Sequence, residues 1–194
     1  MKKILMTTAL IFYISSISVA QNNKTALLLI DIQNFYFPGG KSELFEPVKA
    51  AENAAKLLAE FRNNGMPVIH VRHNSDTEGE INKLVEPLPG ENVISKNEVN
   101  CFAGTDLLNY LKANGITNLV ICGMQTHMCV EAAVRAAADL GFTCLLIKDA
   151  CATKDLKFDE KVIKAEDVHY STLATLRSYA SIESTGEFLI KQQK

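Results

Sequence analysis

The chain repeats one unit, a short uninterrupted apolar run followed by a longer segment whose apolar residues recur at helical spacing. The runs occupy residues 26–30, 67–71, 93–95, 119–122, 143–148 and 180–182. Runs that do not alternate with polar residues suit strands buried on both faces. Their alternation with helical segments is the signature of βαβ units and a parallel sheet. The spacing predicts an α/β fold: three layers, α/β/α, around a mostly parallel, Rossmann-like, six-stranded sheet. A helix is predicted to open at Pro47, with Val48, Ala51, Ala55, Leu58 and Phe61 on its apolar face and Asn63-Asn64-Gly65 as its stop. Others are predicted over 105–113, from Thr126 or His127 to Leu140, over 161–179, and from Thr185. Residues 74–90, with Gly79, Pro87, Pro89 and Gly90, read as an irregular loop over the carboxyl edge of the sheet.

Residues 1–20 have the layout of a secretory signal: two lysines near the start, an apolar stretch from Ala9 to Ile17, and the small residues Ser18-Val19-Ala20 at the cleavage point. The expectation is an exported protein, periplasmic or secreted, with one domain over 21–194 and no membrane association once the leader is removed. The apolar part of the leader is too short to span a bilayer comfortably. A net charge of −2 without a basic cluster argues against nucleic acid as a partner and leaves a small molecule. Five cysteines leave at least one thiol free. Cys101, Cys122, Cys144 and Cys151 read either as small buried hydrophobes or, for Cys122 with Cys151, as a candidate disulfide.

Three chemically suggestive residues fall at the ends of apolar runs. Asp31 follows the first, Lys96 follows the third, and Cys129 lies in Gly123-Met124-Gln125-Thr126-His127-Met128-Cys129, between the fourth run and a helical pattern. Ligands of parallel α/β sheets bind at the carboxyl ends of strands. The first turn of a helix presents unpaired N–H groups and a partial positive charge, so the position is expected to favour thiolate. Taken singly, these residues read as a turn former, a surface lysine and an inert thiol. Together they suit acyl transfer, in which Cys129 attacks and Asp31 takes the thiol proton and returns it to the leaving amine. Lys96 holds Asp31 by charge, and the N–H groups of Gln125 and Cys129 receive the oxyanion. Tyr36, with Phe35 and Phe37 beside it, suggests an aromatic wall for a planar substrate; the alternative is that two of the three rings belong to the core. His127 either lines the pocket or caps the helix start. His70, His73 and His169 read as packing or surface residues.

Asp31-Ile32-Gln33-Asn34 with Tyr36 and Gly39-Gly40, Lys96 with Phe102, Gly104 and Thr105, and the stretch from Gly123 to Val130 resemble the three signature regions of the isochorismatase-like cysteine hydrolases. That superfamily includes nicotinamidases, ureidoacrylate and carbamoyl amidohydrolases, and streptothricin hydrolases. The resemblance implies a triad of Asp31, Lys96 and Cys129, a cis peptide between Met124 and Gln125, an oxyanion hole from the N–H groups of Gln125 and Cys129, and a homo-oligomer. Nicotinamidases carry a metal-binding Asp-x-His, but neither His70 nor His73 has an aspartate two residues before it, so no metal or other cofactor is expected. Isochorismatases proper lack the cysteine. The segment around Cys129 most resembles the metal-free branch containing streptothricin hydrolases. The expected function is a cysteine amidohydrolase that opens a carboxamide or lactam of a small molecule through a thioester. The alternatives are a nicotinamidase or carbamoyl amidase of relaxed specificity, and a small-molecule-binding protein without turnover.

Overall fold

A computed structural model describes residues 24–75 and 77–193; the leader expected at 1–20 lies outside the described residues. The main elements in chain order are β1 (Lys24–Ile30), α1 (Pro47–Asn63), β2 (Val68–His73), β3 (Asn92–Lys96), α2 (Leu107–Ala113), β4 (Ile116–Met124), α3 (Glu131–Asp139), β5 (Thr143–Ala152), β6 (Leu156–Phe158), β7 (Lys161–Ile163), α4 (Ala165–Leu176), β8 (Ser181–Glu183) and α5 (Thr185–Gln192). Six strands form one sheet in the order β3-β2-β1-β4-β5-β8, and every pairing in it is parallel. The chain steps one way from β1 to β3, crosses back to β4 on the far side of β1, and then steps the other way. Right-handed crossovers therefore place α1 on one face and α2, α3 and α4 on the other. In agreement, α1 packs with α5 and α3 packs with α4.

The central strands are buried without interruption from Ala26 to Ile30 and from Leu119 to Met124, as both faces of a covered parallel sheet require. The buried face of α1 is Pro47, Ala50, Ala51, Ala54, Leu57, Leu58 and Phe61. The stripe is rotated from the predicted one, and Val48 faces solvent. Alanines let α1 lie close to the sheet, and Phe61 stacks on Phe188 of α5 with ring centroids 6.0 Å apart. The end of α1 is fastened to the edge of the sheet. Arg62 grips the Glu91 carboxylate at 2.7 and 2.8 Å, and Glu91 also contacts His70 Nε2 at 2.9 Å and accepts the Leu88 N–H.

One predicted helix is corrected. Residues 161–163 do not begin the helix expected over 161–179; they form β7, antiparallel to β6, with Asp159 in the left-handed region between them. Val162 and Ile163 are β-branched and suit the hairpin. The helix begins at Ala165, where the Asp155 carboxylate accepts the Ala165 N–H at 2.8 Å and Glu166 and Asp167 occupy the first turn. The loop over 74–90 contains a 3₁₀ turn at Lys83–Val85 and a bridge between Gln33 and Ile81. All five cysteines are buried free thiols, Cys122 and Cys151 included.

Gly123 permits the close approach of β4 to β1. Its φ is 133°, and a Cβ there would lie 2.0 Å from the Ile30 carbonyl oxygen. Gly123→Ala is expected to cost about 3 kcal/mol or more, because a left-handed backbone and a backbone clash coincide. A urea unfolding midpoint close to that of the parent would refute this.

Candidate active site

The sheet reverses its winding between β1 and β4, and such a switch point opens a crevice beyond the strand ends. Asp31 follows β1 directly, Lys96 is the last residue of β3, and Cys129 lies a turn beyond β4. Asp31 adopts a positive φ of 48°, and its N–H donates to the Val71 carbonyl at 2.9 Å, which extends the ladder while turning the chain. Lys96 sits opposite His73 in the β2–β3 register.

Residues far apart in sequence meet at the Lys96 ammonium. Nζ is 2.8 Å from Asp31 Oδ2 and 3.3 Å from Cys129 Sγ, 3.1 Å from the Glu98 carbonyl, and 3.4 Å from His73 Nδ1. The carboxylate is the nearest and only charged acceptor of the four, so the ammonium is held first by Asp31, and the Cys129 thiol lies against the same carboxylate. The Asp31 and Lys96 side chains are completely buried.

The segment carrying the thiol is tethered from three directions. The Met124–Gln125 peptide is cis, and a wide π-type turn over Thr126–Val130 precedes α3. Within it, the Gln125 carbonyl accepts the N–H groups of Met128 and Val130, which flank Cys129, at 3.0 and 3.3 Å. Gln125 Nε2 donates to the Tyr36 hydroxyl at 3.3 Å, Thr126 Oγ1 pairs with His169 Nδ1 at 3.0 Å, and His127 Nδ1 pairs with Thr153 Oγ1 at 2.6 Å. His127 thus anchors the turn to the end of β5 and makes no capping bond. His169 does more than pack within its helix, because it holds the nucleophile turn to α4.

Phe35, Tyr36 and Phe37 are all buried, with Phe35 edge-on to Tyr36 at 4.3 Å, so all three rings belong to the core. The Tyr36 hydroxyl still reaches the site through Gln125. His70 lies away from the thiol in the Arg62–Glu91 cluster. His73, read from sequence as a packing or surface residue, instead lies against the Lys96 ammonium. It ends β2 as Lys96 ends β3, and a strand-end position was the signal available. Its backbone is clamped by the buried Gln33, whose Oε1 accepts the His73 N–H at 2.7 Å and whose Nε2 donates to the His73 and Gly79 carbonyls at 2.9 and 2.6 Å. Among the described residues, no group of three or more His, Cys, Asp or Glu side chains is placed to hold a metal ion. A cavity of about 360 Å³ lies beyond the end of β5, lined in part by Phe45, Lys49, Asp149, Thr153, His169 and Tyr170. It abuts the nucleophile turn only through Thr153 and His169.

Burial dominates the electrostatics. It pushes the Cys129 thiol up to about 12, with the Asp31 charge adding to the rise and Lys96 opposing it. The thiolate expected from the helix-start position is therefore not the resting form. Burial also raises Asp31 against the pull of Lys96, whereas Lys96 is held protonated by Asp31 and Cys129 despite its own desolvation. The rate of Cys129 alkylation by iodoacetamide is accordingly expected to climb with pH beyond the ordinary cysteine value of 9.0. A plateau already reached near neutral pH would contradict this account.

Fold and site together define a three-layer α/β hydrolase with a buried thiol at the switch point of its sheet. The chain matches the Isochorismatase domain over residues 25–177. It is 49% identical over 177 residues to the uncharacterized isochorismatase family protein YddQ of Bacillus subtilis, covering 85% of this chain and 98% of that protein. It is 33% identical over 171 residues to a streptothricin hydrolase of Streptomyces noursei, covering 84% of this chain and 59% of the relative. The crystal structure of an isochorismatase from Pseudomonas putida superposes with a TM-score of 0.81 at 35% identity, covering 84% of this chain and 89% of that one. The chain belongs to the isochorismatase family of hydrolases.

Proposed function

We propose that the protein is a cysteine amidohydrolase that cleaves a C–N bond of a small carboxamide or lactam through a thioester on Cys129, with Asp31 and Lys96 as its partners. The observation that carries this reading is the single ammonium lying 2.8 Å from a buried carboxylate and 3.3 Å from the thiol. Similarity to a streptothricin hydrolase supports it.

The resting thiol is neutral, so attack requires a base. The S–H proton passes to Asp31 as Sγ forms a bond to the substrate carbonyl carbon and the π pair moves onto oxygen. The N–H groups of Gln125 and Cys129 receive that oxyanion. Collapse breaks the C–N bond, and the nitrogen takes the electron pair and the proton held by Asp31. A water molecule then gives a proton to Asp31 and adds to the thioester. The second collapse breaks the C–S bond, and the proton returns to sulfur. Lys96 keeps its charge throughout, stabilising first the carboxylate and then the developing thiolate.

The test is to incubate the reduced protein with a panel of small amides and lactams, nicotinamide and streptothricin-type lactams included, following amine release and the intact mass. An acyl adduct that is absent in Cys129→Ala is expected. Alkylation of the thiol without any acyl adduct or amine release would move the reading to a binding protein.

A further inference from the structure

We propose that His73 is a positioning residue: its Nδ1 holds the third N–H of the Lys96 ammonium while the sulfur of Cys129 is uncharged, and yields that N–H to the sulfur as charge builds there. His73 thereby helps to keep the resting nucleophile a thiol. Its part in turnover rests on the amidohydrolase reading, whereas its effect on the reactivity of the resting thiol does not.

The ammonium has three protons and four neighbours. Asp31 Oδ2, the charged one, lies at 2.8 Å and the Glu98 carbonyl at 3.1 Å. One N–H is left for two acceptors at nearly the same reach, Cys129 Sγ at 3.3 Å and His73 Nδ1 at 3.4 Å. An ammonium only donates, so Nδ1 meets it with a lone pair and the ring carries its proton on Nε2. A ring protonated on both nitrogens would set two cations 3.4 Å apart. Burial holds Cys129 as the thiol, and thiol sulfur is a weak acceptor beside an imidazole nitrogen. The third N–H therefore rests on His73. The preference reverses once the sulfur is charged, because both partners of that bond are then ionised. A turn about the Cε–Nζ bond of Lys96 carries the N–H across, and no covalent bond is made or broken.

The frame around the ring keeps it there. Strand register pairs His73 with Lys96, so both side chains leave the sheet on the same face. Gln33, wholly buried, grips the His73 peptide on both sides, and the Asn74 N–H donates to the Lys96 carbonyl at 2.8 Å. Gln33 follows Asp31 closely in the chain, so the strand end that carries the base also fixes the ring. The other titratable groups that face the sulfur are Asp31 beyond β1, Lys96 on β3, Cys101 after it and Tyr36 before α1. Burial pushes Cys101 and Tyr36 each up to about 12, so both stay protonated around neutral pH. His127, on the nucleophile turn itself, is turned to Thr153.

The experiment compares the reduced parent with His73→Leu, which fills the space without an acceptor, and His73→Asn, whose Oδ1 stands near the place of Nδ1. Alkylation of Cys129 by iodoacetamide is followed against pH and located by peptide mass. In His73→Leu the third N–H has only the sulfur left. Its alkylation is expected to run about 3- to 10-fold faster than the parent on the rising limb, the range that one net hydrogen bond supplies. The profile moves to lower pH, and His73→Asn is expected to return it to that of the parent. Equal profiles in the three proteins overturn the inference, as does a shift to higher pH in His73→Leu. An Asn variant that behaves like the Leu variant also overturns it, because the effect would then be one of shape. If His73→Leu does not fold, the parent alone decides: ¹⁵N shifts of the His73 ring should show a lone pair on Nδ1 and the proton on Nε2, and a protonated Nδ1 overturns the inference. p-Nitrophenyl acetate tests the part in turnover. Thioester hydrolysis is expected to be no slower in His73→Leu than in the parent. Lost hydrolysis with unchanged alkylation would make His73 a proton carrier and overturn the inference. Failure of every amide and ester to acylate the parent would remove the amidohydrolase reading, and the alkylation profiles would still decide the role of His73.

Discussion

Cys129→Ala is expected to lower amide turnover by about 10⁴-fold or more and to abolish any acyl adduct, while shifting the unfolding midpoint by only a few degrees. The size of the kinetic effect follows from the role of the thiol, because no other group on the turn can form the covalent intermediate. The small stability cost follows from how the turn is held. Its tethers run through Gln125, Thr126 and His127 to Tyr36, His169 and Thr153, and none passes through the sulfur. Loss of Sγ removes one acceptor of the Lys96 ammonium, which keeps the Glu98 carbonyl, His73 and Asp31. A cost of about 1 kcal/mol shifts the midpoint of a domain of this size by about 2–4 °C. Residual turnover within tenfold of the parent would remove Cys129 from the reaction.

Lys96→Ala is expected to damage stability as well as activity. The substitution strands a completely buried carboxylate, and breaking a buried pair from one side costs about 3–5 kcal/mol. Without the ammonium, the main influence opposing burial at Asp31 is gone, and its carboxyl rises further. The linkage fixes the direction of the pH dependence. A carboxyl raised in the folded state above its unfolded value of 3.8 binds its proton more tightly when folded. The deficit of Lys96→Ala is thus fully present above the raised folded value. It shrinks as pH falls through that value toward the unfolded one. Activity is expected to drop at least about 10³-fold, because a protonated Asp31 cannot accept the thiol proton. The double variant Asp31→Asn, Lys96→Met separates the two effects. Urea unfolding should show most of the stability restored, while turnover stays lost. Restored turnover would show that the pair serves only the fold.

The α/β class, the six strands and their order along the chain were legible because parallel strands buried on both faces must be continuously apolar. That Asp31, Lys96 and Cys129 come together was legible because each ends or follows such a run. The hairpin over 156–163 was missed because Lys161, Val162 and Ile163 continue an apparent helical spacing, and the Asp155 acceptor that starts α4 at Ala165 shows only in three dimensions. The rotated face of α1 has a similar origin, since an alanine-rich helix offers several stripes of nearly equal hydrophobicity and the neighbouring strands choose among them. The state of the thiol was misread for a different reason. A helix start is visible in sequence, whereas the desolvation that outweighs it comes from residues brought in by the rest of the sheet. His73 was read as a packing or surface residue because its strand-end position does not by itself reveal that register sets it opposite Lys96.

Lys96 rides on β3, the outermost strand on its side of the sheet, whose ladder partner is β2 alone and whose approach is fastened to α1 by the Arg62–Glu91 grip. Edge elements open at lower free energy than the whole molecule. The proposed chemistry thus depends on the margin of the sheet as well as on its centre, where Asp31 and Cys129 sit. Mild denaturant should silence the enzyme while its helical circular dichroism is still intact. Turnover would then serve as a gauge of one frayed strand well before the domain as a whole gives way.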